Sequence, residues 1–347
     1  MISDIRLQQF RSYTDRTFRL SPGVNVVVGP NASGKTNLLE SVFVISKGGS
    51  YRAIDQELIM HGKSWSRIDF THSGNSLSLK LYASSLQTKQ YVVNNKTLSR
   101  LTSNVRVPVV LFEPSHLNML FGPPEDRRKY LDGILEQTDK TFYKLKKDYE
   151  KVLRQRNNLL KRGSVRQDEI FPWNVRLGQL GGLVVMSRLK LIGELNKDIG
   201  HVYEAIASKN TMISLSYKTK LNIDQYESQL LKKLEQSFEL DSLRGFTTNG
   251  PHRDDIDIRI NNKSITAVAS RGETRTIMIS LKTLEADVVS RELEKDPIIL
   301  LDDVFGELDK DRTRYLMTSL SRYQSVITTT DFDYVPKLDN NANVIQM

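Results

Sequence analysis

Gly29-Pro30-Asn31-Ala32-Ser33-Gly34-Lys35-Thr36 stands directly after the short β-branched run Val24 to Val28 and directly before a stretch of helical character, residues 35–46. Apolar strand, glycine loop and helix in this order fit the phosphate-loop pattern G-x-x-x-x-G-K-[ST]. The glycines let backbone N–H groups turn inward around phosphate oxygens. The helix that follows aims its positive end at the same oxygens. Lys35 is expected to reach the β- and γ-phosphates of ATP, and the Thr36 hydroxyl to join a magnesium shell.

A second segment supplies what the loop lacks. Ile298-Ile299-Leu300-Leu301-Asp302-Asp303 is an apolar run ending in two carboxylates. A buried strand of this kind delivers Asp302 to a magnesium ion facing the phosphate loop. Asp303 is placed to orient or deprotonate an attacking water, or else to cap the helix after the strand, as Asp commonly does. Upstream, Ala269-Ser270-Arg271-Gly272-Glu273 precedes a helical stretch, Thr274 to Leu284. A hydroxyl, free amides and a helix N-terminus are the parts of an anion site.

Outward from these motifs, the texture divides the chain. Ile2 to Phe10 alternates as a half-buried strand does, and Ile68–Phe70, Leu77–Tyr82, Gln90–Val93 and Val105–Phe112 read as further strands, the last broken by Pro108. Ser73-Gly74-Asn75 marks a turn among them. After Gly122-Pro123-Pro124 the pattern becomes helical up to about Ile206. Phe142, Leu145, Tyr149, Val152 and Leu159 recur at spacings of three and four, with Arg156 filling one seam position. Leu177, Leu180, Val184, Ser187 and Leu191 repeat the pattern. Two such stripes joined by a polar link, Gly163 to Asp168, predict an antiparallel helical pair, although core-facing helices of an ordinary kind show the same spacing. Strand texture is expected at Ile213–Tyr217, a helix over Ile223–Phe238, and strands again at Asp255–Ile260, Pro297–Leu301 and Val326–Thr329. The expected organisation is an α/β chain: a sheet-rich lobe written in two pieces, 1–121 and 245–347, around a helical arm lobe, 122–244.

Composition bounds the rest. The chain has 347 residues, 39% of them hydrophobic and 26% charged, which suits a globular protein with a sizeable core. There is no cysteine, so disulfides and cysteine-held zinc are excluded. No apolar run approaches the roughly 20 residues of a membrane helix, and a soluble cytoplasmic protein is expected. The net charge of +9 attracts polyanions, or serves solubility alone.

Phosphate loop, Ser-Arg-Gly, Leu-Leu-Asp-Asp and Gly306-Glu307-Leu308-Asp309, in this order, resemble the head of an ABC-type ATPase, a mixed sheet with helices. That resemblance implies a homodimer in which Ser270, Arg271 and Gly272 of one copy contact the γ-phosphate held by the other, with Asp309 in the loop linking the two sites. Thr328-Thr329-Thr330-Asp331 occupies the place of the switch histidine, and Glu113 is the candidate for the mediating glutamine. Phe10-Arg11-Ser12-Tyr13, the run Gly122 to Asp132, Leu153 to Lys161 and Gly250-Pro251-His252-Arg253-Asp254-Asp255 narrow the likeness to the RecF family of bacterial recombination mediators, from the first strand to the last. Glu273 departs from that pattern, which usually has glutamine there. The departure either weakens the contact across the dimer or alters a helix N-cap.

The family resemblance implies an SMC-like ATPase whose ATP-driven dimer binds double-stranded and gapped DNA, with interest in single-strand gaps. It further implies slow hydrolysis that releases the dimer, and RecO and RecR as partners in loading RecA during gap repair, replication restart and the SOS response. Local charge agrees. Ten Lys or Arg lie between Lys140 and Arg166, against Asp148 and Glu150. Lys144, Lys147, Lys151, Arg154, Lys161 and Arg162 are the expected phosphate contacts, unless they form only a solvated helix face. Arg127, Arg128, His252 and Arg253 are open between phosphate or DNA contacts and structure, and Arg11 and Tyr13 are candidates to flank adenine. The alternative function is an ABC-type ATPase acting on a protein or transport partner without DNA. A third is an ATP-sensing scaffold that barely turns over.

Overall fold

Alternation and β-branching place the strands, and they separate into three sheets on two compact units. The computed structural model describes residues 1–72, 74–83, 88–101, 105–163, 165–330 and 342–347. Ser73 of the expected turn, Ser164 of the helical link and Asp331 lie outside the described residues.

Unit one comprises Met1–His116 and Glu285–Met347. Its first part contains β1 (Ile2–Phe10), β2 (Tyr13–Arg19), β3 (Val24–Val28), helix α1 (Lys35–Lys47), β4 (Trp65–His72), β5 (Asn75–Tyr82), β6 (Lys89–Val93), β7 (Lys96–Leu98) and β8 (Val109–Phe112). The expected strand over Val105–Phe112 shortens to its second half. Pro108 has no N–H to give a ladder, though its carbonyl accepts from Ile298 N at 2.9 Å.

Unit two comprises Leu117–Leu284. Helices α2 (His116–Phe121), α3 (Pro124–Thr138), α4 (Lys140–Leu160) and α5 (Gln167–Ala207) are followed by β9 (Ile213–Lys218), α6 (Tyr226–Gln236), α7 (Phe238–Arg244), β10 (Asp255–Ile260), β11 (Lys263–Ser264) and α8 (Ile265–Val268). The boundary back to unit one falls inside α9 (Arg271–Leu293). Then come β12 (Ile298–Asp302), α10 (Lys310–Leu320), β13 (Ser325–Thr329) and β14 (Asn343–Gln346).

Two sheets belong to unit one. The antiparallel sheet runs β2-β1-β4-β5-β6-β7, and the parallel sheet runs β14-β3-β13-β12-β8. Every residue of β3, β13 and β8 is buried. That explains their near-continuous apolar sequence: a parallel strand is covered on both faces. Asn25 is the polar exception. Its side-chain amide donates to the carbonyls of Ser21, Gly23 and Ser325, and its oxygen accepts from Ser21 N and Asn343 Nδ2, so nothing polar is left unpaired.

In unit two, α4 and α5 pair as the two stripes predict. Arg156 meets Asn174, and Lys146 and Arg188 share Asp132, which fixes the antiparallel sense. The helix expected over Ile223–Phe238 divides at Ser237 into α6 and α7. The return point drawn at 244/245 also differs from the compact unit, which continues to Leu284. The three-stranded antiparallel sheet β11-β10-β9 is the cause, because β9 packs on α5 and β10 on α3.

Candidate functional site

The site is built at the carboxyl ends of β3, β12 and β13. Parallel pairing sets Asp302 beside Thr328 and Thr329 beside Val28, so three chain segments end at one level. Gly29 N donates to Thr329 O at 3.4 Å as the loop leaves β3.

The phosphate loop then turns tightly. Ala32 has φ of 63° and Gly34 of 102°, the left-handed region that glycine enters at no steric cost. Side chains are excluded at both glycines. A Cβ on Gly34 would lie 2.8 Å from the Tyr13 hydroxyl, and one on Gly29 would lie 2.9 Å from Ser33 Oγ. Tyr13 braces the loop by donating to Gly34 O at 3.0 Å, and burial raises this phenol to about 12, so it stays a donor. The Lys35 ammonium donates to Gly29 O at 2.7 Å and Pro30 O at 2.8 Å.

Three observations fit this cradle to a phosphate. The N-terminus of α1 has no side-chain cap and no acidic residue in its first turn, which leaves its amides and dipole for an anion. Among the described residues, Ser33 Oγ is buried without a hydrogen-bond partner. The Tyr51 hydroxyl is likewise buried and orphaned, with its ionisation pushed up by burial first and by Asp302 second. Buried hydroxyls left unpaired are a mark of a ligand site.

Asp302 is held by two hydroxyls. Thr36 Oγ1 donates to Oδ1 at 3.0 Å and Thr328 Oγ1 donates to the same atom at 2.7 Å. Among the described residues, Asp302 Oδ2 accepts no hydrogen bond. A hydroxyl, one carboxylate and phosphate oxygens suit magnesium, which keeps several waters and takes few protein ligands. Accordingly, no cluster of three or more His, Cys, Asp or Glu side chains suited to a metal occurs among the described residues. Thr328 also accepts from Asp303 N at 3.0 Å, and Asp303 itself is exposed with φ of 51°. The helix-cap reading of Asp303 is not realised. The cap of α10 is Asp309, which accepts from Arg312 N at 3.0 Å.

Sequence reasoning missed a charged cluster on α1. Glu40 is fully buried and takes two bonds from Arg11, at 3.0 and 2.9 Å, one from Arg52 at 2.8 Å and one from the Ser50 hydroxyl at 2.6 Å. Burial pushes this carboxyl up, but the bonds from Arg11, Arg52 and Ser50 outweigh it and hold the group below the ordinary glutamate value. Arg52 also reaches Asn37 Oδ1 at 2.8 Å, so a guanidinium is anchored over the first turn of α1. The available signal was an acidic residue within the apolar run Leu38 to Ile45. Arg11, a candidate to flank adenine, is thus anchored on Glu40. Glu113 lies one residue beyond Phe112, which pairs with Leu301, and so at the same end of the sheet as Asp302.

In unit two, Ser270 caps α9. Its hydroxyl accepts from Glu273 N at 3.3 Å, and the Glu273 carboxylate accepts from Ser270 N at 2.8 Å. This reciprocal pair is a capping box, and the same bonds hold Glu273 below its usual value. Glu273 thus forms part of the helix start, with Ser270 and Arg271 exposed.

Lys144, Lys147, Lys151, Arg154, Lys161 and Arg162 are all exposed on α4 and the residues just after it. Two other arm cations are withdrawn: Lys146 pairs with Glu136 and Asp132, and Arg156 is buried against Asp241. Arg127, Arg128 and His252 each have a partner within the unit. Arg127 makes a two-pronged pair with Asp255 at 2.8 and 3.0 Å, and Arg128 donates to Asp254 O at 2.5 Å. His252 shares a 2.6 Å hydrogen bond with the Tyr149 hydroxyl, and burial lowers it to about 4. Arg253 lies over the Phe246 ring at 5.0 Å.

Phosphate loop, the Asp302 carboxylate at the end of its strand and a serine-capped helix on this mixed fold define an SMC-like ABC-type ATPase head. The RecF/RecN/SMC N terminal domain model matches residues 1–347. The chain is 33% identical to the DNA replication and repair protein RecF of Alkaliphilus oremlandii, over 95% of this chain and 93% of that one. It is 30% identical to RecF of Staphylococcus aureus strain Newman, over 100% and 98%. A solved structure of the recombination mediator RecF with ATP superposes with a TM-score of 0.86 at 26% identity, covering 96% and 93%. An Smc head bound to the C-winged helix domain of ScpA shares the fold alone, at a TM-score of 0.57 and 13% identity. The chain belongs to the RecF family.

Proposed function

We propose that this chain is an ATP-gated DNA-binding protein of recombinational gap repair and replication restart, whose slow ATPase acts as a switch. The observation that carries the reading is the joint between Thr36, Asp302 and Thr328, at hydrogen-bond distances of 3.0 and 2.7 Å. It joins the phosphate loop to the strand end that would hold magnesium.

Each residue then has a task. Lys35 and the uncapped amides of α1 bind the phosphates, Thr36 and Asp302 would hold magnesium, and Asp303 orients the attacking water. Magnesium, when bound, screens the charge that develops on the phosphates. Ser270, Arg271 and Gly272 of a second copy complete the site, so ATP binding and dimerisation are one event. Hydrolysis removes the γ-phosphate that joins the copies and releases them.

The exposed cations Lys144, Lys147, Lys151, Arg154, Lys161 and Arg162 give sequence-independent contacts to the DNA backbone. Double-stranded and gapped DNA are the targets, and RecO and RecR are the partners in aiding RecA. The resemblance to RecF proteins, and to a solved structure of RecF with ATP in the RecFOR pathway, supports this reading. Among the described residues no helix is long and apolar enough to cross a membrane.

A binding titration on gapped duplex with and without ATP and magnesium tests the proposal. Retention of the duplex with ATP, lost without it and weakened by rising salt, is expected. Equal binding in both conditions would overturn the gating, and no binding in either would favour an ATPase that serves a protein partner.

A further inference from the structure

A cavity of about 460 Å³ opens in unit one at the amino ends of β12 and β8. Ile298 and Asp302 stand at opposite ends of β12, so this cavity lies roughly 13 Å along the strand from the magnesium carboxylate. Nucleotides take the carboxyl ends of such strands. This opening at the other end is not used by the ATPase reading.

Its lining has two characters. The floor is apolar, with Phe70, Leu77, Val107 and Ile298 buried in it. The rim is cationic: Arg106, Lys295 and Arg322 line it, opposed by one carboxylate, Asp296. Asp296 already accepts from the Ser290 hydroxyl at 2.7 Å, and Arg322 is paired with Asp287. Lys295 is exposed and makes no ion pair or hydrogen bond among the described residues. His72 sits at the wall in T-shaped contact with Phe70, and is held neutral at about 4 by burial first, then by nearby positive charge including Lys295.

An apolar floor beneath a net positive rim selects a ligand with both an apolar group and a carboxylate. A duplex backbone needs an extended surface rather than a concave one. The volume admits one large side chain and the chain beside it. We propose that this cavity docks a short peptide of a partner protein, in which an apolar side chain sits beside carboxylates.

The probe is a labelled peptide of three aspartates followed by a C-terminal phenylalanine with a free carboxylate. It is titrated into the full chain by fluorescence anisotropy, with ATP and magnesium saturating so that the phosphate loop is not available to it. Saturable binding is expected. Lys295→Glu should weaken it about tenfold or more, because a like charge now faces the peptide, while Lys295→Arg should bind as the parent does. Val93→Asp, at the edge of the floor, should weaken it comparably, and an asparagine version of the peptide should not bind. Nucleotide binding by Lys295→Glu reports that the variant is folded. The proposal is overturned by absence of saturable binding to the parent chain, by unchanged affinity in folded Lys295→Glu, by equal binding of the asparagine peptide, or by displacement of the peptide with AMP.

Discussion

Asp302 meets Thr36 and Thr328 through the same oxygen, and Thr328 also receives the amide of Asp303. One threonine therefore positions both carboxylates of the site, the first through its side chain and the second through the backbone. We expect Thr328→Val, which keeps the shape and removes the hydroxyl, to lower the ATPase turnover by about tenfold while the KM for ATP changes little. Steady-state kinetics read the split between the two constants, and an unchanged turnover would remove Thr328 from this role. At this scale the sequence was legible where chemistry imposes a spacing. The loop Gly29 to Thr36 and the strand ending at Asp302 announce themselves in that way. Glu40 did not, since its partners Arg11 and Arg52 lie on other segments and no local pattern links the three. Arg127 was ambiguous for the same reason, until Asp255 was placed against it.

Helices α4 and α5 form the element whose reading is sharpest and least complete. A three-and-four spacing predicts the pair and marks Arg156 within the apolar seam. What it cannot give is Asp241, which lies on α7 and meets Arg156 at 2.7 Å with both side chains fully buried. Asn174 and Thr247 take two further guanidinium bonds at 2.7 Å each. Breaking one side of such a pair strands a buried charge. We expect Arg156→Ala to cost about 3–5 kcal/mol of stability. Arg154→Ala, one turn-face away and exposed, should stay within about 0.5 kcal/mol. Urea unfolding of the two variants checks this, and equal losses would mean that Arg156 is not the buried anchor of the arm. The break at Ser237 was hidden by an opposite effect, because residues 223–238 keep helical spacing across it. The break is held by local bonds, since Ser237 Oγ and Thr248 Oγ1 both donate to Asp241.

For the molecule as a whole, the change in texture at Gly122 falls near the first boundary between the compact units, at His116/Leu117, whereas the second, at Leu284/Glu285, has no such mark in the sequence. Residues 245–270 have strand and loop texture like the head, yet β10 pairs with β9 of the arm unit, and pairing between distant strands leaves no mark on composition. The capping box at Ser270 belongs to that unit, and the phosphate loop to the other. On our reading a second copy brings the two together, which makes dimerisation the central claim. The most direct test is the mass in solution, by light scattering, with ATP and magnesium and without them. The account predicts a dimer with ATP and a monomer without it, and predicts that Ser270→Arg stays monomeric while still binding nucleotide. The same mass in both conditions, or an ATP-driven dimer of Ser270→Arg, would contradict it.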